Sequence, residues 1–203
     1  MTQWDLAVDL VGTRVRLEPI TIDHAETLFP AARPTEIWRW WAFNPARSAE
    51  SFREWIASCI EGAAAGLRQH FATVAADTGT PIGSTSFCSL NPTHKGIEIG
   101  WTWLTPASWR TGANREAKLL MLSHAFEVLG CQRVEFETDA LNERSRAAIA
   151  ALGARFEGIH RDDKIVRDGV RRSSAYYSII DHEWPVARER IQQQLRTEIA
   201  RRA

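Results

Sequence analysis

A strand that runs straight into a glycine-bearing helix start constrains this chain more than any other stretch of it. Residues 96–104, GIEIGWTWL, alternate on period two. That predicts a strand with Ile97, Ile99, Trp101 and Trp103 on one face and Glu98, Gly100 and Thr102 on the other. Pro106 ends the run, and Arg110-Thr111-Gly112-Ala113-Asn114-Arg115 opens a long apolar helix closed by Gly130. The first turn of a helix leaves N–H groups unpaired, and the macrodipole makes that end positive. Gly112 lets a ligand approach the backbone, while Arg110 and Arg115 add mobile positive charge. Such a junction can cradle a diphosphate. It also reads as a plain helix start with a turn glycine, and spacing alone leaves both readings open. The segment is neither a GxxxxGKS/T loop nor a GxGxxG dinucleotide fingerprint.

Composition narrows the function classes. With 203 residues, 25 of them basic and 25 acidic, the formal net charge is zero. That argues against a generic binder of nucleic acid or anionic membrane and leaves room for one local anion site. No apolar run approaches the roughly 20 residues needed to span a bilayer. The amino terminus, MTQWDLAVDLVG, lacks the basic region and apolar core of a signal peptide, so the expected compartment is the cytoplasm. Cys59, Cys88 and Cys131 are too widely spaced for a disulfide framework or a zinc site, and the six His show no ligand spacing. No metal is expected. Among the 25 basic residues only Lys95, Lys118 and Lys164 are lysines. Nine Trp stand against two Tyr, with Trp38, Trp40, Trp41 and Trp101, Trp103, Trp109 in two tight groups.

The remaining segments alternate in type. TRVRLE (13–18) predicts a half-buried strand, Thr21 caps a short helix to about Phe29, and Ser48 starts a second. The aromatic segment TEIWRWWAFNPAR between those helices has no sustained period. Residues 70–76 and 82–90 form a hairpin ahead of the 96–104 strand. RVEFETDA (133–140) is a strand, followed by a helix with Asn142 as N-cap, and RFEGIH, KIVRDGVRR and SAYYSII close as strands about an Asp168-Gly169 turn. A polar helix is expected at about 185–202. The order is β-α-α-β-β-β-α-β-α-β-β without repeats or linkers, which predicts one mixed α/β (α+β) domain over 1–203.

The run W-R-T-G-A-N-R-E-A-K between strand and helix resembles the acyl-coenzyme A motif of the GCN5-related N-acetyltransferases. T-D-A-L-N-E-R-S-R-A-A-I-A-A-L-G-A-R-F-E-G and the opening G-T-R-V-R-L-E-P-I resemble the next block and the first strand of that superfamily's RimJ/RimL branch. The likeness runs from about 11 to 182. Where the family motif has Gln or Arg and then Gly or Ala, this chain has Trp109 and Asn114, and Asn tolerates positive φ.

The resemblance implies a mostly antiparallel mixed sheet, splayed between the fourth and fifth strands of this order, with helices on both faces. It implies acetyl-CoA, or another short acyl-CoA, as co-substrate. Backbone N–H groups from Thr111 through Gly112, Ala113 and Asn114 to Arg115 would hold the pyrophosphate. Trp103, Leu104 and Thr105 would pair with the pantetheine arm, and a backbone N–H near Trp103 or Leu104 would polarise the thioester. Asn142 and Ser145 would lie beside the sulfur, with Ser145 donating a proton to the thiolate. Asn142 is also a natural N-cap, with Ser145 then a first-turn residue. Trp38, Trp40 and Trp41 fall in the connection that lines the family's acceptor site, where one or two of them can equally fill the core.

An ammonium acceptor must lose a proton before it attacks. Glu98, between apolar neighbours and a few residues before the thioester strand, is the first choice of base; Asp139 with a water chain competes, and so does a plain salt-bridged role. No Cys falls at the thioester, so the expected route is direct attack on the acyl group by a primary amine. The acceptor is a small molecule or a protein N-terminus, with the aromatic loop favouring the former. A coenzyme-binding sensor without catalysis is the alternative class. A nucleic-acid partner is not expected, because acids intersperse the arginines at 144–172. A homodimer follows from the resemblance only.

Overall fold

The computed structural model describes residues 4–200. Eight strands form one sheet: β1 (Leu10–Val11), β2 (Val15–Pro19), β3 (Gln69–Ala75), β4 (Pro81–Asn91), β5 (Gly96–Leu104), β6 (Arg133–Asp139), β7 (Arg155–Ile165) and β8 (Arg171–Ile180). Their spatial order is β1-β2-β3-β4-β5-β6-β8-β7. The helices are α1 (His24–Thr27), α2 (Phe29–Ala32), α3 (Ala49–Ala64), α4 (Ala113–Ser123), α5 (Glu143–Ala151) and α6 (Trp184–Ala200). Residues 201 and 202 of the expected terminal helix lie outside the described residues.

Local chemistry accounts for the element ends. Ser48 caps α3 by accepting from the Ser51 N–H at 3.1 Å, and the Ser51 hydroxyl accepts from the Ser48 N–H in return. The helix expected from Thr21 breaks into α1 and α2 around Leu28 and Pro30. The aromatic segment becomes 3-10 turns at Thr35–Trp40 and Pro45–Arg47, in keeping with its lack of a period. The strands expected as RFEGIH and KIVRDGVRR fuse into β7 and the tip of the β7–β8 hairpin, which turns at Arg167–Gly169 with Asp168 at φ 59°.

Apolar burial divides over the two faces of the sheet. Ile97, Ile99, Phe71, Phe87, Val134 and Phe136 pack with Met121 and Leu122 of α4 and Ile191 of α6. On the other face Ala72, Val74 and Trp103 pack with Leu28, Trp38, Phe52, Trp55 and Ile56. The four-residue stripe expected on β5 is therefore split between faces. From Ser84 to Ser86 is two steps on β4, while their partners Trp103 and Gly100 are three steps apart on β5. The extra residue is a β-bulge, with Trp101 at φ 50°. A bulge shifts the alternation by one, so Trp103 lands opposite Ile97 and Ile99.

The sheet opens beside that bulge. β5 and β6 are its parallel pair, in register only over Gly96–Glu98 and Arg133–Glu135. Beyond those pairs the strands splay, and the gap faces their C-terminal ends.

A buried carboxylate fixes α4 beneath this gap. Glu116, 7% exposed, accepts from the N–H groups of Thr13 (3.2 Å), Arg14 (2.6 Å) and Val15 (2.8 Å) and from the Thr13 hydroxyl (2.7 Å). Replacing it strands four donors at the start of β2. We expect Glu116→Ala to cost about 3 kcal/mol in urea unfolding; a loss below about 1 kcal/mol would show that the ladders with β1 and β3 hold β2 without it.

Candidate active site

Two helix starts flank the mouth of the gap, α4 after β5 and α5 after β6. The Thr105 N–H donates to Ile82 O on β4 at 2.8 Å. Strand alternation then turns the N–H and C=O of Leu104 to the opposite edge, into the gap. The Leu104 carbonyl accepts from Trp109 Nε1 at 2.8 Å. The Arg144 guanidinium of α5 lies 3.9 Å over the Trp109 ring, so an indole and a cation meet across the opening.

The loop into α4 has the conformation of a backbone cradle. Arg110 has φ 59° and Gly112, the N-cap, has φ 91°. The positive φ thus falls at these two positions, while Asn114 is helical with its Oδ1 buried and without a hydrogen-bond partner. A Cβ on Gly112 would stand 2.7 Å from Glu198 Oε2 and 3.4 Å from Arg14 Nε. Thr111 is pinned from three sides: its hydroxyl donates to Ser108 O (2.8 Å), that hydroxyl accepts from the Ala113 N–H (3.3 Å), and its carbonyl accepts from Arg14 Nη1 (3.2 Å). Arg115, expected to be mobile, is instead paired with Glu198 of α6. The loop therefore meets a fixed cation, Arg14 just before β2, and a carboxylate from α6, neither of which any local sequence pattern marks.

On the α5 side Asn142 Oδ1 accepts from the Ser145 N–H at 3.1 Å, so the N-cap role is realised. Ser145 itself is half-buried in the first turn of α5. Asp139 is committed to the turn before α5, where Oδ1 accepts from the Leu141 N–H at 2.8 Å.

Glu98 lies at the point where β5 and β6 part, on the face opposite Ile97 and Ile99. Its Oε2 accepts from the Ser89 hydroxyl at 2.6 Å. Burial, assisted by Glu137, raises its pKa above the ordinary carboxylate value, against the pull of Ser89 and Lys164. Glu137, two residues beyond Glu98's β6 partner, gathers Lys164, Arg172 (3.0 Å), Ser174 (2.9 Å) and Tyr176 (3.3 Å). Burial and Glu137 push the Tyr176 phenol up to about 12.

The tryptophan wall differs in membership from the expected one. Trp38 is fully enclosed, with Nε1 donating to Ala32 O at 2.8 Å, so it backs the wall instead of facing a ligand. Trp41 is the hub: its ring centroid lies 4.9 Å from Trp38, 5.3 Å from Trp101 and 6.2 Å from Trp55. Trp40 is half-exposed beside Arg39. His70 packs among Trp55 and Trp101, and burial drops its pKa to about 3, leaving a neutral ring. Trp101 joins the wall because of the bulge, a role that a strict period-two reading hides. Arg167, at the β7–β8 tip, donates to the carbonyls of Trp38 (2.9 Å) and Arg39 (2.6 Å) and ties the hairpin to this wall. Among the described residues no His, Cys, Asp or Glu cluster is placed to hold a metal ion, and no helix is long and apolar enough to cross a membrane.

A family description of the acetyltransferase (GNAT) domain matches residues 14–155. Over 147 residues the chain is 31% identical to the Bacillus subtilis (strain 168) protein named "Putative ribosomal N-acetyltransferase YdaF", covering 72% of this chain and 78% of that one. Among solved structures, a GCN5-related N-acetyltransferase from Brucella melitensis superposes with a TM-score of 0.88 at 29% identity, over 95% of this chain and 86% of that one. Mycobacterium smegmatis RimJ in complex with CoA-disulfide shares the fold, with a TM-score of 0.77 at 21% identity over 89% and 88% of the two chains. A sheet split after Glu98, with a glycine-capped helix at the mouth of the split, thus falls within a defined class: the chain belongs to the GNAT acetyltransferase family. Within it, the chain is similar to members of the RimJ/RimL kind.

Gly112 offers a direct probe of the cradle. Alanine there meets an unfavourable φ and a neighbouring carboxylate, so Gly112→Ala is expected to raise KM for acetyl-CoA at least 10-fold with a far smaller change in KM for the amine. Equal changes in both constants would argue against a coenzyme role for this loop.

Proposed function

We propose that this chain moves an acetyl group from acetyl-CoA to the primary amine of a small molecule with an apolar or aromatic portion. The observation that carries the reading is the Leu104 backbone turned into the β5–β6 gap, with the cradle at Thr111–Arg115 at its mouth. The residues fit the coenzyme. The N–H groups of the α4 start suit a diphosphate, and the edge that Leu104 turns into the gap suits the polar groups of a pantetheine arm, whereas Trp103 and Thr105 direct their backbone to β4. The coenzyme supplies an activated acyl group as a thioester.

The protein's part is to orient, polarise and move protons. The Leu104 N–H polarises the acyl carbonyl. Glu98 takes a proton from the incoming ammonium; the neutral nitrogen forms a C–N bond as the C–S bond breaks. Ser145 offers a hydrogen bond to the departing sulfur, and the proton that the nitrogen sheds on becoming an amide passes to that sulfur, which leaves as the thiol. A raised pKa at Glu98 brings its base strength closer to neutrality. Its salt-bridged alternative is weakened by the geometry, since the group that hydrogen-bonds its carboxylate is the Ser89 hydroxyl rather than a cation.

Arg167 favours a small acceptor over a folded protein. Its bonds to Trp38 and Arg39 carry the hairpin tip across to the wall, while Lys164 of the same hairpin reaches Glu137 beside Glu98. Trp40, Trp41 and Trp101 offer rings to an apolar portion and to a cationic nitrogen.

Release of free thiol from acetyl-CoA with a panel of arylalkyl, alkyl and peptide amines tests the reading. We expect turnover with the first group. Glu98→Gln is expected to lower kcat about 100-fold. It should also remove the fall in kcat at acid pH, which in the wild type sets in above the ordinary carboxylate range. Acetyl-CoA binding without turnover of any amine would favour a sensor, and an unchanged pH profile in Glu98→Gln would exclude Glu98 as the base.

A further inference from the structure

Lys118 lies inside the apolar face of α4 beside Ala117, Met121 and Leu122, and is 5% exposed. Its Nζ donates to Thr85 Oγ1 on β4 and to Thr102 Oγ1 on β5, each at 2.7 Å. The two hydroxyls are themselves 2.8 Å apart. An amine and two hydroxyls thus close a triangle across three elements. Its place in the sheet is specific: Ser84 pairs with Trp103 and Ser86 with Gly100, so Thr85 faces both Trp101 and Thr102 at the register skip, and Thr102 is the one tied to it. The triangle stands where the ladder is interrupted.

We propose that Lys118 is a positioning residue for acyl transfer: by tying Thr85 to Thr102 from below, it holds the β5 bulge that aims the Leu104 N–H into the gap between β5 and β6. The proposal rests on the acyl-transfer reading given above. Backbone that leaves its ladder needs another restraint, and Trp101 carries the added cost of a left-handed conformation. Thr102 sits between that strained residue and the strand edge proposed to meet the thioester. A displacement of β5 by a fraction of an ångström there would misalign the carbonyl with its donor.

The tie is not what folding alone would select. The partners that β4 and β5 present to the amine are neutral hydroxyls, and the titratable group bearing on it is the Cys88 thiol, itself held protonated by burial. Glu116, the nearest acid on α4, is engaged by the start of β2. Burial therefore pushes the Lys118 ammonium down to about 7. An unfolded chain keeps that proton up to about pH 10. Between these limits unfolding takes up a proton, so the lysine's burden on stability is greatest near pH 7 and is relieved as pH rises toward 10. Without the amine the hydroxyls still have each other, with Met121 Sδ 3.5 Å from Thr85 Oγ1 and Gly100 O 3.3 Å from Thr102 Oγ1.

Lys118→Met tests this with a side chain that fills the space and removes the tie. The expected result is a higher urea midpoint than wild type at pH 7, with the difference shrinking by pH 10. Deuterium exchange at the amides of 101–104 should quicken about 10-fold, kcat should fall about 10-fold or more, and KM for acetyl-CoA should stay within about twofold. Thr102→Ser should behave as wild type, and Lys118→Met with Thr102→Val should be no worse in kcat than Lys118→Met alone. A lysine that only packs would lose urea midpoint and leave exchange at 101–104 in step with the rest of the sheet. That result, or an unchanged kcat, would overturn the proposal. An inactive wild type would remove it together with the proposed function, and the exchange data would then say separately whether the tie exists.

Discussion

One extra residue in β5 reverses which side of the sheet every later side chain of that strand meets. Before it, Ile97 and Ile99 belong to the core under α4; after it, Trp103 belongs to the core under α3. The same irregularity puts Trp101 at positive φ among Trp41 and His70. It occurs just past Glu98, where pairing with β6 ends. A continuous ladder at this place would leave no strand edge facing a gap, and the helix start at Gly112 would lie beside a closed sheet.

The electrostatics on the two sides of that gap are opposite in sign. At its mouth stand a helix N-terminus, Arg14 beneath the loop and Arg144 over Trp109, an arrangement suited to phosphate. On the far face Glu98 and Glu137 stand among hydroxyls and a few cations, with aromatic rings alongside, an arrangement suited to an ammonium. Glu198, paired with Arg115, meets the first of these sides as a carboxylate. In the proposed reaction an anionic donor and a cationic acceptor thus approach one carbonyl from faces already matched to them.

Much of this was legible in the sequence. The strand at 96–104 and the helix start around Gly112 carry local signals, a period and a breaker, that tertiary packing did not override. The face of each Trp was not legible, because period-two reading presumes an unbroken ladder and a bulge leaves no mark in residue type. Which of Trp38, Trp40 and Trp41 fills the core was likewise open in an irregular loop, and the bond from Trp38 to Ala32 O of α2 and its contact with Trp103 decide it. Glu116 and Lys118 look like the solvated charges of any amphipathic helix; what distinguishes them is the carboxylate's four donors from Thr13 to Val15 and the amine's two hydroxyls across the sheet. A trace of the second was present, since Lys118 interrupts an apolar run in a chain that otherwise favours arginine. Arg14, Arg167 and Glu198 act over long sequence separations, which no local pattern reports.

The central claim is that the Leu104 backbone, freed from its neighbouring strand by the splay, receives the coenzyme's thioester arm. Amide NMR of the protein titrated with coenzyme A reads it directly. The account predicts that the Leu104 N–H shifts and gains protection from exchange, together with the N–H groups of the α4 start. Saturable binding that leaves the Leu104 amide unchanged would contradict it.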